Sequence, residues 1–218
     1  MLAIVGGKGG CGKTTTALGL ARALAQTGDR PLVVDADCDM PNLHALAETD
    51  REPGLAAVED GADIARVVHR SGAYPGVDVL PAGRARTAAG ERALTRLARR
   101  PRPVVVDCPA GASQGVAAPL RAADAALVVS TAGRESLDDA ARTARMVDSL
   151  GTRLLGAVVT RVDGDRSTAA GGDRLGADCP VLETVPDVED EVLASESGRA
   201  SYERLAARLS RGNTRRNI

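Results

Sequence analysis

The chain has 218 residues, 44% of them apolar, and a formal net charge of -1. That apolar content excludes a disordered chain, the length suits one domain with a buried core, and the near-zero charge gives no general pull towards nucleic acid or an acidic membrane. With two Tyr, no Phe and no Trp, the core must come from Ala, Val, Leu and Ile, side chains that suit a parallel sheet covered by helices.

The first predicted strand, Leu2–Gly6, leaves no room before it for a targeting segment. It runs into Gly6-Gly7-Lys8-Gly9-Gly10-Cys11-Gly12-Lys13-Thr14-Thr15-Thr16 and then a predicted helix over 13–27. Gly7 to Thr14 satisfies the phosphate-loop pattern GxxxxGKS/T in its strand–loop–helix setting. Glycines let successive backbone N–H groups turn towards phosphate oxygens, and the helix N-terminus adds the positive end of its dipole. Lys13 is placed for the β- and γ-phosphates, the Thr14 hydroxyl for Mg²⁺ and Thr15 for the α-phosphate. Of 28 basic residues only Lys8 and Lys13 are lysines, and both fall inside this loop.

The second predicted strand, Pro31–Asp35, opens the run Asp35-Ala36-Asp37-Cys38-Asp39-Met40-Pro41-Asn42-Leu43. Carboxylates at a strand's carboxyl end beside a phosphate loop can hold a metal-bound water or orient an attacking one. Asp35 and Asp37 point to opposite faces if the strand persists, so they should not share a role. A helical stretch over 54–70 leads to the strand Val77–Leu80, and another over 88–100 to Val104–Asp107. That strand ends Val104-Val105-Val106-Asp107-Cys108-Pro109-Ala110-Gly111, which puts Asp107 where a carboxylate can hold a water on Mg²⁺. Helices over 114–122 and 134–150 flank the strand Ala125–Ser130. The strands Leu154–Thr160 and Val181–Val185 and helices over 188–197 and 200–210 complete the chain. Such alternation predicts a doubly wound, mostly parallel α/β sheet with helices on both faces, its ligand beyond the strands' carboxyl ends.

The loop from Gly7 to Thr14 resembles the deviant Walker A motif, KGGxGKS/T, of the MinD/ParA family of P-loop ATPases. Asp35-Ala36-Asp37 followed by Asn42-Leu43 is similar to that family's switch I, and Asp107-Cys108-Pro109-Ala110-Gly111 to its switch II, DxPAG. The resemblance covers about residues 1–210. It implies one P-loop ATPase domain over 1–210, with 211–218 as a polar C-terminal tail. It implies that Gly7, Lys8, Gly9, Gly10, Cys11, Gly12, Lys13, Thr14 and Thr15 hold ATP. Lys8 would reach the nucleotide of a facing subunit, Asp37 would position the hydrolytic water, and Thr14, Asp35 and Asp107 would serve Mg²⁺, Asp35 in the outer coordination sphere. Thr160-Arg161, with Pro186-Asp187, would border the base. Thr160-Arg161-Val162-Asp163 also looks like the guanine reader of signal-recognition GTPases, so GTP stays open beside ATP.

The implied activity is ATP hydrolysis by a cytoplasmic switch that dimerises on ATP, answers to an activating partner protein, and positions a chromosome, plasmid, division site or polar assembly. A biosynthetic enzyme of the dethiobiotin-synthetase or cobyrinate-amidase kind and a non-hydrolysing adaptor are the alternatives. Arg84, Arg86, Arg92, Arg96, Arg99, Arg100 and Arg102 could contact a DNA backbone or form a solvated face. Tyr202, Leu205, Ala206 and Leu209 share one face of the last predicted helix and read as core, so autonomous membrane binding is not expected. Four Cys with no CxxC read as reduced cytosolic thiols. Cys11, Cys38 and Cys108 fall in nucleotide motifs and read as small apolar residues, with redox control as the alternative.

Overall fold

The computed structural model describes residues 1–84, 90–111, 114–163, 174–175, 179–189 and 191–214. Seven of its strands match the predicted runs: β1 Leu2–Gly6, β2 Leu32–Asp35, β4 Asp78–Leu80, β5 Val104–Asp107, β6 Ala125–Thr131, β7 Arg153–Val162 and β9 Cys179–Pro186. Two short strands, β3 His69–Arg70 and β8 Arg174–Leu175, are additional. The sheet order is β3-β4-β2-β5-β1-β6-β7-β9-β8. The seven inner strands pair in parallel, and β3 and β8 add antiparallel edges.

Alternation along the strands divides the core into two layers. Ala3 and Val5 face one side, with Val34, Val106 and Val128, against Leu94 and Leu97 of α5 (Glu91–Ala98), Val116 and Leu120 of α6 (Gln114–Ala122) and Val147 of α7 (Arg134–Ser149). Ile4 faces the other, with Val33, Val105 and Leu127, against Leu18 and Leu20 of α1 (Lys13–Gln26) and Tyr202 and Leu205 of α8 (Glu196–Thr214). This is the doubly wound, mostly parallel arrangement that the aliphatic runs predict. Tyr202 lies flat on Gly19, where a Cβ would overlap the ring. Tyr202, Leu205 and Ala206 are buried and Leu209 is half-buried.

The helix predicted over 54–70 is three pieces instead: α3 Leu55–Glu59, α4 Ile64–Val67 and then β3. Gly61 at φ 102 breaks the first turn, Asp63 caps α4 by accepting from the Ala65 amide at 3.0 Å, and Val68 is extended. The stretch 191–195 forms turns rather than the helix expected over 188–197. Ser195 Oγ accepts from the Gly198 amide at 3.1 Å, so α8 starts there and runs to Thr214, past the predicted end. A short helix, α2 Leu43–Leu46, follows switch I.

Candidate nucleotide site

Strand order assembles the site. With β5 between β2 and β1, the ends of three parallel strands stand side by side, and Asp35 lies opposite Asp107 in register. The loop leaving β1 bends through left-handed Gly10 (φ 74) and Gly12 (φ 91) into α1. No side chain caps α1 and its first turn carries no acid, so its amides and dipole are left for an anion. Lys13, its first residue, is 8% exposed. The loop is fastened from below: Gly111 donates to the Gly6 carbonyl at 3.0 Å and Cys108 to Ile4 at 3.1 Å. Gly7 abuts α7 so closely that a Cβ there would overlap Asp139.

Asp107 is 2% exposed. Its Oδ2 accepts from the Thr14 hydroxyl at 2.6 Å, while Oδ1 is buried with no hydrogen-bond partner among the described residues. Asn42 Oδ1 stands 3.0 Å from the same hydroxyl. Asp35 spends both oxygens on the switch I backbone, accepting from Asp37 N at 3.0 Å and Leu43 N at 3.3 Å. Asp37, half-buried, accepts from Met40 N at 3.0 Å. Among the described residues no group of three or more His, Cys, Asp or Glu side chains could hold a metal. A buried, unpartnered carboxylate oxygen beside a hydroxyl fits Mg²⁺ shared with phosphates and water, since that ion seldom takes an all-protein cage.

Burial pushes the Asp35 carboxyl up to about 7, aided by the charge of Asp107, and burial pushes Asp107 up to about 6 against the Thr14 bond and the Lys13 charge. Both lie above the ordinary 3.8, so the folded, metal-free protein binds more protons than the unfolded chain. The stability this pair contributes is complete below about pH 4 and is lost as pH rises through 6 to 7. In EDTA the melting temperature should therefore fall from pH 6 to pH 8, and a flat or rising profile would contradict the pair's ionisation cost.

Lys8 is held by α7 at the rim of the phosphate loop. Its Nζ lies 2.6 Å from Glu135 and 3.4 Å from Asp139, both on α7, with the side chain 40% exposed. The hydrogen bond to Glu135 raises its pKa first of all. The sequence reading missed these two carboxylates, whose i,i+4 spacing is their only local signal.

The base-pocket residues divide. The Thr160 hydroxyl is committed to the carbonyls of Cys11 at 2.9 Å and Ser130 at 3.2 Å, so it anchors the phosphate loop. Arg161 is exposed with φ 53 and lines an open cleft of about 370 Å³ with Lys8, Gly9 and Gly10. Val162 pairs with Pro186 in register, which brings Asp163 and Asp187, both exposed, to the ends of adjacent strands. Cys11 and Cys108 are buried with thiols pushed up by desolvation, which makes them poor nucleophiles. In the arginine-rich segment, Arg96 donates to the Val58 carbonyl and Arg102 pairs with Asp78, while Arg92 and Arg99 are exposed; Arg86 lies outside the described residues.

A glycine loop opening onto an uncapped helix, with a buried lysine and a hydroxyl–carboxylate pair beside it, defines a P-loop nucleotide-binding protein. Residues 2–201 match the CobQ/CobB/MinD/ParA nucleotide binding domain, and the chain belongs to that family. An ATP-binding protein of Methanocaldococcus jannaschii is 34% identical over 197 residues, 85% of this chain and 74% of that protein. The septum site-determining protein MinD of Synechocystis is 27% identical over 171 residues, 74% of this chain. The chain spans 64% of that MinD's length, just under two thirds. In fold, the chain is similar to the cell division ATPase MinD of Pyrococcus furiosus (TM-score 0.82, 24% identity, 96% of this chain and 98% of that one). It is also similar to cobyrinic acid a,c-diamide synthase of Mycobacterium smegmatis with bound ADP and magnesium (TM-score 0.76, 24% identity, 98% and 94%).

Proposed function

We propose that the protein is a Mg²⁺-dependent ATPase that dimerises on ATP and uses the cycle to position a cellular component under the control of an activating partner protein. The observation that carries this reading is Lys8, half-exposed at the lip of the phosphate loop and held there by Glu135 and Asp139 of α7. A lysine there has no task inside one P-loop and is available to a second copy.

In this reading residues 1–210 act as one unit, with 211–218 as a tail. The amides of Gly9 to Gly12 and the Lys13 ammonium bind the phosphates, and Thr15 reaches the α-phosphate. Thr14 and Asp107 hold the cation, with Asp35 adding negative charge behind them. Mg²⁺ held there would supply positive charge to offset the charge of the transferring phosphoryl group. Asp37, tied to Met40 but half-exposed, orients the attacking water. Arg161, Pro186 and Asp187 border adenine.

The work belongs in the cytoplasm, where the thiols of Cys11, Cys38, Cys108 and Cys179 stay reduced. No helix among the described residues is long and apolar enough to cross a membrane. The apolar face of α8 packs on α1 and is not offered to a bilayer. Among the described arginines of this segment, Arg84, Arg92 and Arg99 are exposed and could meet a DNA backbone, whereas Arg96 and Arg102 are committed within the fold.

Solution mass tests the reading. Asp37→Ala should bind ATP·Mg²⁺ without turning it over and accumulate as a dimer, remain a monomer with ADP·Mg²⁺, and ignore GTP. The likeness to the diamide synthase favours a second reading, a biosynthetic enzyme. A monomer under every nucleotide would bring that reading forward.

A further inference from the structure

We infer that the groove between α1 and α8, at the end of the sheet away from the phosphate loop, binds a long-chain fatty acid, with Arg153 on its carboxylate and leucines along its chain. The groove has a volume of about 1050 Å³ and lies beside the amino ends of β1, β5, β6 and β7. Leu2, Leu20, Leu24, Leu155, Leu182 and Leu209 line it. Small-molecule sites are mostly apolar clefts of about 300–1,000 Å³ with a few polar groups, and this groove stands at the upper end of that range.

A break in the sheet turns Leu155 to this groove. Ala126 of β6 pairs with Leu154 and Leu127 pairs with Gly156, so Leu155 is an extra residue on β7 with no partner on β6. Such a bulge disrupts the ladder and re-aims a side chain, and bulges gather beside functional sites. Gly156 permits it: its φ is 148, and a Cβ there would overlap the Pro180 carbonyl and the Leu182 side chain. Leu155 joins neither layer of the core and lines the groove instead.

Shape selects a slender occupant. Leu20 is buried and the other five leucines are half-buried. A flat protein surface would bridge over side chains recessed in this way, whereas a single hydrocarbon chain can lie among them. Charge selects the head. Arg153 and Arg208, both exposed, stand in the lining. Arg208 donates to the Leu182 carbonyl, while the Arg153 guanidinium has no partner among the described residues. The acids of the lining are Asp29 and Asp124, and Asp124 pairs with the N-terminal ammonium. Arg153 is thus the open cation, two residues before Leu155 on the same strand. A planar guanidinium meets a carboxylate through two parallel hydrogen bonds, which sets the head of the ligand beside the start of its chain.

Laurate is the probe, titrated below its micelle concentration into the full chain by calorimetry. It should bind one to one. Arg153→Gln should weaken it by about tenfold, the loss expected for one partly solvated hydrogen bond between charged groups. Dodecanol, which has the chain without the charge, should bind the wild type about as weakly. Leu155→Asp should abolish binding. The melting temperature of the ligand-free protein should hardly move in Arg153→Gln, because that side chain is exposed. Laurate labelled with carbon-13 at its carboxyl gives a second readout that needs no change in the groove floor. Its carboxyl should titrate at lower pH on the wild type than on Arg153→Gln, since a facing cation favours the ionised form. A wild type that does not bind laurate overturns the inference, as does laurate binding that neither substitution changes. Dodecanol binding as tightly as laurate overturns the role of Arg153. Dodecyl phosphate taken up where laurate is refused overturns the carboxylate.

Discussion

Lys13→Ala should lose nucleotide affinity by a factor of roughly 100 or more, because a charged hydrogen bond to phosphate is worth up to about 3 kcal/mol and little else in the loop can replace it. Lys13 is 8% exposed, at the first position of a helix whose opening turn holds no acid. Among the described residues no carboxylate forms an ion pair with it, and its charge is felt by Asp107 across the site. The ammonium is thus already in place for an anion. The backbone amides of the loop and the α1 dipole survive the substitution, so weak residual binding is expected rather than none. Calorimetry with ATP·Mg²⁺ measures the loss. Near-normal affinity would refute the phosphate assignment.

The phosphate loop was legible because its chemistry is local. Eight consecutive residues set the turn, the dipole and the charge, and Lys13 and Thr14 fall where that spacing puts them. The carboxylates at the ends of β2 and β5 were legible as strand ends, but their juxtaposition depends on β5 inserting between β2 and β1, which no local pattern states. Partners across the fold were therefore invisible. Asn42 stood in the switch I run without a task until β2 brought it to Thr14. Glu135 and Asp139 fall in the helix predicted over 134–150, and nothing local marks them until α7 packs against Gly7. Thr160 shows the converse. Its position at the end of the predicted strand Leu154–Thr160 was legible, but its hydroxyl turns down to the Cys11 carbonyl. β3 and β8 are two residues each, too short to carry a period. The single helix expected over 54–70 failed because Gly61 and Asp63 outweigh an apolar spacing that continues through them.

Lys8→Ala should bind nucleotide almost normally, yet show no ATP-dependent dimer and a turnover lower by about 100-fold, the loss typical when one charged group that stabilises a transition state is removed. Separation of the two readouts is the point: Lys13 serves the site from within, whereas Lys8 is held by Glu135 and Asp139 on its own α7. For Lys8 to reach a facing subunit those two ion pairs must break. Glu135 is exposed and Asp139 half-buried on a solvated helix face, so water screens both pairs and the hold amounts to roughly a few-fold to tenfold bias rather than a lock. Glu135→Gln combined with Asp139→Asn should then move the dimer midpoint to lower ATP by that same few-fold to tenfold margin. Added salt should act in the same direction on the wild type's internal pairs. Analytical ultracentrifugation across an ATP titration reads both effects. A Lys8→Ala protein with wild-type turnover would sink the role across the interface. A double variant that dimerises less readily would mean instead that Glu135 and Asp139 serve the dimer itself, with Lys8 paired to them in both states.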